Sequence, residues 1–142
     1  MKTYTAAVIG LSQISQGRLP KPRSLSATDP MPRSHVSAYA AHPRVKLVGA
    51  CDLMPAALEK FNATWRDVHP DTRLYSDYRE MLEAEKPDIV SVITPDDKHA
   101  DIVVNAANRG VRGIWCEKPI ATTLADADRM IEAVERNNTA MT

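Results

Sequence analysis

An α/β fold with a doubly wound parallel sheet is predicted for this chain by three observations. Short apolar runs alternate along it with longer amphipathic stretches. The apolar runs are closed by glycine, proline or charged residues. The 142 residues are 44% hydrophobic and 25% charged, the balance of one globular domain with a real core. Strand, helix, strand, helix at this rhythm places a parallel sheet between layers of helices.

The elements follow in order. Ala6–Leu11 (AAVIGL) is a compact apolar run ending near Gly10, as a buried parallel strand does. Val45–Leu53 is the second such run, Ile89–Thr94, closed by Pro95, the third, and Val111–Cys116 the fourth. Thr72–Tyr75 is short enough for an edge strand, so about five strands are expected. Between them, Leu58, Phe61 and Trp65 space a helical face behind Pro55, a residue suited to a first helical turn. Tyr78, Met81 and Leu82 form another face, with Asp77 and Glu80 as a capping pair. Ile102, Val103 and Ala106 form a third, stopped by Gly110. Leu124, Ala127, Ile131 and Val134 form a fourth, opened by Thr122 or Thr123.

Gln16–Ser34 breaks the rhythm. With four prolines, four basic residues and one acid, it reads as an extended, mobile loop inserted after the first strand. Elsewhere, composition mainly excludes. Eighteen basic residues balance eighteen acidic ones, so no global field points to nucleic acid or an anionic membrane. No apolar run approaches the ~20 residues that span a bilayer. Cys51 and Cys116 sit alone inside apolar runs, which suggests no disulfide, no metal site and a reducing cytoplasm.

Right-handed crossovers leave few topologies for such a sheet, and the dinucleotide-binding order is the commonest. Four motifs fall at its ligand edge. Gly10-Leu11-Ser12-Gln13-Ile14-Ser15 follows the first strand, where glycines allow a tight turn and close approach to a pyrophosphate. Only the first glycine stands here; serine, small and with its own N–H, takes the later places. A plain strand-to-loop turn is the alternative. Asp52 ends the second strand, where an acid accepts from both adenosine ribose hydroxyls and repels a 2′-phosphate. Its separation from Gly10 is about twice the usual ~20 residues, and the 16–34 loop accounts for most of the excess. Capping of the helix near Pro55 is its other reading. Thr94-Pro95-Asp96-Asp97-Lys98-His99 closes the third strong strand, although Asp96, Asp97 and His99 also suit structural roles at a helix start. Glu117-Lys118-Pro119 emerges directly from an apolar strand. A lysine there can donate to a substrate oxygen and stabilise its developing charge during hydride transfer.

Together, VIGLSQIS, HVSAYAAHPRVKLVGACD, YSDYREMLEAEKPDIVSVITPDDKHADIV and GIWCEKPIATTLADADRMIE resemble the glucose–fructose oxidoreductase, inositol dehydrogenase and rhizopine-catabolism (Gfo/Idh/MocA) family. The resemblance covers nearly the whole chain except 16–34. It implies a Rossmann domain over residues 1–142 and a nicotinamide-dependent oxidoreductase that moves a hydride between NAD and a sugar, polyol or related small molecule. Lys118 is then the active-site lysine, and Glu117 and Pro119 shape the nicotinamide-ribose end. Thr94, Pro95 and His99 line the cofactor cleft, Asp52 the adenosine ribose, and Gly10, Ser12 and Ile14 the phosphate turn. NADP is admitted by Arg18, Lys21, Arg23 and Arg33, which the loop can fold over a 2′-phosphate.

The chain departs from the family at Ser12 and Ser15, where glycine or alanine is usual, and this weakens cofactor affinity. The family's catalytic aspartate and histidine belong to a C-terminal substrate domain and have no counterpart here. On this reading a sixth strand is missing, which leaves Gly113–Cys116 as a bare edge. The isolated chain is accordingly expected to be inactive and to self-associate, as a homo-oligomer or by aggregation. A non-catalytic nucleotide-binding sensor or scaffold is the second reading.

Overall fold

The computed structural model describes residues 2–17 and 32–142. The elements are β1 (Tyr4–Ile9), α1 (Gln13–Gln16), α2 (His35–Ala41), β2 (Val45–Cys51), α3 (Pro55–Trp65), β3 (Arg73–Tyr75) and α4 (Tyr78–Glu85). They continue with β4 (Ile89–Val92), a 3₁₀ turn (Asp96–Lys98), α5 (His99–Asn108), β5 (Gly113–Cys116), α6 (Leu124–Arg136) and β6 (Ala140–Met141). The strands form one sheet in the order β3-β2-β1-β4-β5-β6, each neighbour parallel.

Alternation along β1 explains the layering. Ala7 and Ile9 face a core shared with Met81, Leu82, Val103, Ala106 and Met130, so α4, α5 and α6 cover that side. Ala6 and Val8 face the opposite core with Val36, Tyr39, Phe61 and Trp65, from α2 and α3. Because both faces are buried, β1 reads as continuously apolar. Gly110, at φ 81°, ends the α5 turn as expected. Thr123 rather than Thr122 caps α6, its hydroxyl accepting the Asp126 N–H. Asp77 caps α4 by accepting the Arg79 N–H at 2.7 Å.

Four expectations change. The sheet has six strands, not five: Ala140 pairs with Gly113 and Met141 with Ile114. The Thr142 carbonyl accepts the Cys116 N–H at 2.8 Å, so β5 is not a bare edge and the self-association argued from one loses its premise. Two residues carry no readable periodicity; the return of α6 and the Thr139 hydroxyl, donating to the Val111 carbonyl at 2.8 Å, bring them to the sheet. The apolar face of α6 is Met130, Ala133 and Val134, while Leu124 and Ile131 are 85% and 46% exposed. Small Ala133 packs into the same core as Ala106 and Ala107 of α5, beside the fully buried Met130.

Two short helices were also unforeseen. Gln16 closes α1, and Ser34 opens α2 through a reciprocal pair with Ser37, a capping box lacking the usual Glu or Gln. The remainder of the expected 16–34 loop, residues 18–31, lies outside the described residues, as do Arg18, Lys21 and Arg23. Lastly, β1 stops at Ile9 because Gly10 turns to φ 91°.

Candidate functional site

The carboxyl ends of β1, β2 and β4 meet around one turn. A Cβ on Gly10 would lie 2.5 Å from the Ile93 carbonyl oxygen, so only glycine lets the turn after β1 pass the end of β4. Leu11 then donates its N–H to Asp52 Oδ2 at 2.8 Å, and Met54 donates to Asp52 Oδ1 at 2.8 Å. Beneath the turn, Gln16 Nε2 donates to the Leu11 carbonyl at 2.6 Å, and Trp65 Nε1 to the Gln16 carbonyl at 2.7 Å. These buried bonds make a rigid base for the exposed Ser12, whose hydroxyl makes no capping bond to α1.

A cleft of about 670 Å³ opens from this turn towards β3 and α5, within the range of small-molecule sites. Gly10, Ser12, Asp52, Thr94 and Pro95 all line it, so five of the expected residues converge. Ile9, Ile93 and Ile102 supply apolar wall, and Arg79 and Lys98 line the cleft with the carboxylates of Asp52, Asp77 and Asp101. The Arg79 guanidinium lies 4.6 Å from the centre of the Tyr78 ring, and the buried Tyr78 hydroxyl has no hydrogen-bond partner. Neither residue was expected at the site, Tyr78 having been read only as part of a helical face; their position directly after an edge strand was the available signal. Cys51 also lines the cleft, but burial, with Asp52 and Asp77 nearby, pushes its thiol up to about 12. Cys116 is likewise pushed up to about 11 by burial. Neither is a thiolate nucleophile at neutral pH.

The other expected residues divide. Ile14 is 52% exposed on α1 and does not line the cleft. His99 is 1% exposed and lies below it. Its Nε2 is 2.9 Å from the Thr94 carbonyl and its Nδ1 3.0 Å from the Pro119 carbonyl. It thereby packs between the turn after β4 and the turn after β5, rather than presenting its ring to a ligand. Lys118 and Pro119 are exposed at the end of β5, beyond the cleft lining, with Glu117 half-buried beside them.

Glu117 Oε1 accepts from His35 Nε2 at 2.8 Å. That bond holds its carboxyl below the ordinary carboxylate range, against the opposing effect of burial. His35, 2% exposed, has its own pKa held down by burial despite the pull of Glu117. Its Nδ1 is 2.9 Å from Ser91 Oγ, which lies 2.5 Å from the Tyr39 hydroxyl. His35, Tyr39 and Ser91 escaped the sequence reading. Ser91, a polar residue within an apolar strand, was the one local hint.

Among the described residues, no group of three or more His, Cys, Asp or Glu side chains gathers as metal ligands. No described helix is long and apolar enough to cross a membrane.

Comparison with known proteins gives a consistent result. The Gfo/Idh/MocA model, described as an oxidoreductase family with an NAD-binding Rossmann fold, matches residues 30–142. The chain is 33% identical over 101 residues to an inositol 2-dehydrogenase of Salmonella paratyphi B, covering 68% of this chain and 28% of that one. It is 38% identical over 104 residues to a D-apiose dehydrogenase of Paraburkholderia graminis, covering 73% and 26%. It thus spans under a third of the length of these relatives. Among solved structures, the WlbA dehydrogenase of Bordetella pertussis, in complex with NADH and UDP-GlcNAcA, superposes with a TM-score of 0.77 at 26% identity, covering 99% of this chain and 36% of that one. The structural match includes β1 and its turn, which the family model leaves out. The chain therefore belongs to the Gfo/Idh/MocA oxidoreductase family, and its six-stranded sheet is that family's NAD-binding Rossmann fold.

Proposed function

We propose that the cleft holds the adenosine half of NAD, in preference to NADP, and that the domain serves a cytoplasmic dehydrogenase acting on a CH–OH group of a sugar or polyol. The observation that carries this reading is the Asp52 carboxylate at the cleft mouth. Each of its oxygens accepts one backbone N–H, while an ionised carboxylate offers about four acceptor sites. Capacity therefore remains for two ribose hydroxyls, and a 2′-phosphate is repelled. The helix at Pro55 has Met54 as its N-cap and no side-chain capping bond, so of the two uses the sequence left open, capping is not the one Asp52 serves. The cleft also fits the adenosine half in its apolar wall and size.

In this sheet order the second mononucleotide half lies over β4 and β5, beside Glu117, Lys118 and Pro119. NAD, when bound, supplies the hydride acceptor. The chain contributes position and charge: the glycine turn lets the pyrophosphate approach, and Lys118 Nζ donates to the substrate oxygen and stabilises charge developing there. The names of the relatives, inositol and apiose dehydrogenases, support a sugar or polyol as substrate. Titrating the purified chain with NADH and NADPH tests the reading; NADH binds more tightly, and equal affinities sink the preference for NAD.

A further inference from the structure

Lys118 sits between two residues that each lie against a buried imidazole. On one side His35 Nε2 meets Glu117 Oε1 at 2.8 Å; on the other His99 Nδ1 meets the Pro119 carbonyl at 3.0 Å. The His35 side continues inward as a directed series. A carboxylate only accepts, so His35 Nε2 bears the proton. The neutral ring, which burial favours, then offers Nδ1 as an acceptor. Ser91 Oγ, 2.9 Å away, donates to it, and the Tyr39 hydroxyl donates to Ser91 Oγ at 2.5 Å. Donors and acceptors thus assign the tautomer and both hydroxyls. The Trp115 ring lies over the imidazole with centroids 3.8 Å apart, which leaves the ring little freedom to turn.

The series joins α2, β4 and the end of β5, three elements with no other reason to share a polar core. Buried polar groups are costly unless fully paired, and here every member finds a partner. All of it ends on the one carboxylate next to Lys118. We propose that His35 is a positioning residue for the nicotinamide half of the site: through Glu117 it sets the orientation of the turn that presents Lys118. The inference rests on the reading that NAD lies along this sheet edge with its second half over β4 and β5. His35 touches neither the cleft nor Asp52, so its effect should be confined to that half.

NADH and ADP, which lacks both the nicotinamide and its ribose, separate the two halves. Both are titrated against the parent chain, His35→Leu and His35→Gln. His35→Leu should weaken NADH about tenfold, the scale of one charge-assisted hydrogen bond. ADP should stay within about twofold of the parent, as for changes away from a site. His35→Gln places an amide N–H where Nε2 stood and should restore NADH to within about twofold. Equal losses for both ligands, or a glutamine variant as poor as the leucine one, would show a packing role only and overturn the proposal. Should His35→Leu fail to fold, Glu117→Met, which has no oxygen to accept the Nε2–H, gives the same test from the other end of the bond. A selective loss of NADH supports the proposal there, and unchanged NADH overturns it. A parent chain that binds neither ligand removes the cofactor reading itself, an outcome distinct from the others.

Discussion

Asp52 accepts the backbone N–H of Leu11 across 41 residues of sequence, at 2.8 Å. Through that bond the end of β2 holds the turn after β1. The residue assigned to the ribose therefore also sets the turn assigned to the pyrophosphate, and the two parts of the adenosine site move as one.

Replacing Asp52 with alanine should accordingly act twice. NADH binding weakens about tenfold as the ribose loses its acceptor, and stability drops by about 1–2 kcal/mol as two backbone N–H groups lose theirs. Asp52→Asn, which keeps one carbonyl oxygen, should retain most of the stability but lose discrimination between NADH and NADPH. Titration calorimetry with both cofactors, beside a urea melt, checks each part. Unchanged NADH affinity in the alanine variant would remove Asp52 from the site.

Gly10→Ala tests the turn itself. The added Cβ would sit 2.5 Å from the Ile93 carbonyl oxygen on a backbone at φ 91°, where neither the angle nor the space suits a side chain. A loss of about 2–4 kcal/mol is expected from the two effects together. Denaturant unfolding measures it; a loss below about 1 kcal/mol would mean that the turn relaxes freely.

Acid should destabilise the domain in a manner traceable to His35. Its pKa in the folded chain lies below the ordinary 6.5 because the ring is buried. As pH falls through about 6.5, the unfolded chain takes up that proton first, and stability declines. Glu117, held below its ordinary 4.5 by the His35 bond, adds a further loss below that value, again because the unfolded state is protonated first. Above about pH 7 neither group contributes a slope. Melting temperatures across this range should fall less steeply for His35→Gln between about pH 6.5 and 5. Parallel curves for the two proteins would contradict the assignment of a neutral buried imidazole.

The 142-residue chain should show no appreciable turnover with inositol or a simple sugar plus NAD. Lys118 is exposed at the end of β5, and a lone lysine cannot supply proton transfer, substrate orientation and a closed site together. Steady NADH production in a spectrophotometric assay would place a working active site within these residues.

The sequence by itself determined the sheet and its ligand edge. Four strands were legible because parallel strands buried on both faces become continuous apolar runs, a signal each run carries within itself, and the half-exposed β3 only as a short segment fit for an edge. Gly10, Asp52, Thr94 and Pro95 were legible for a related reason: each directly follows such a run, and the strand order brings run ends together. Only the tertiary structure decided what lies between distant segments. His35 meets Glu117 across 82 residues, a pairing set by where α2 lands on the sheet and by nothing in either local sequence. His99 shares the motif of Thr94 and Pro95, yet it turns inward, where a ring N–H can donate to a carbonyl oxygen of the turns above it. The buried face of α6 was decided by its packing into the core it shares with α5, and β6 by a hydroxyl and a strand edge needing partners. Periodicity reports which residues avoid water; which partner they avoid it with depends on contacts that only the folded chain creates.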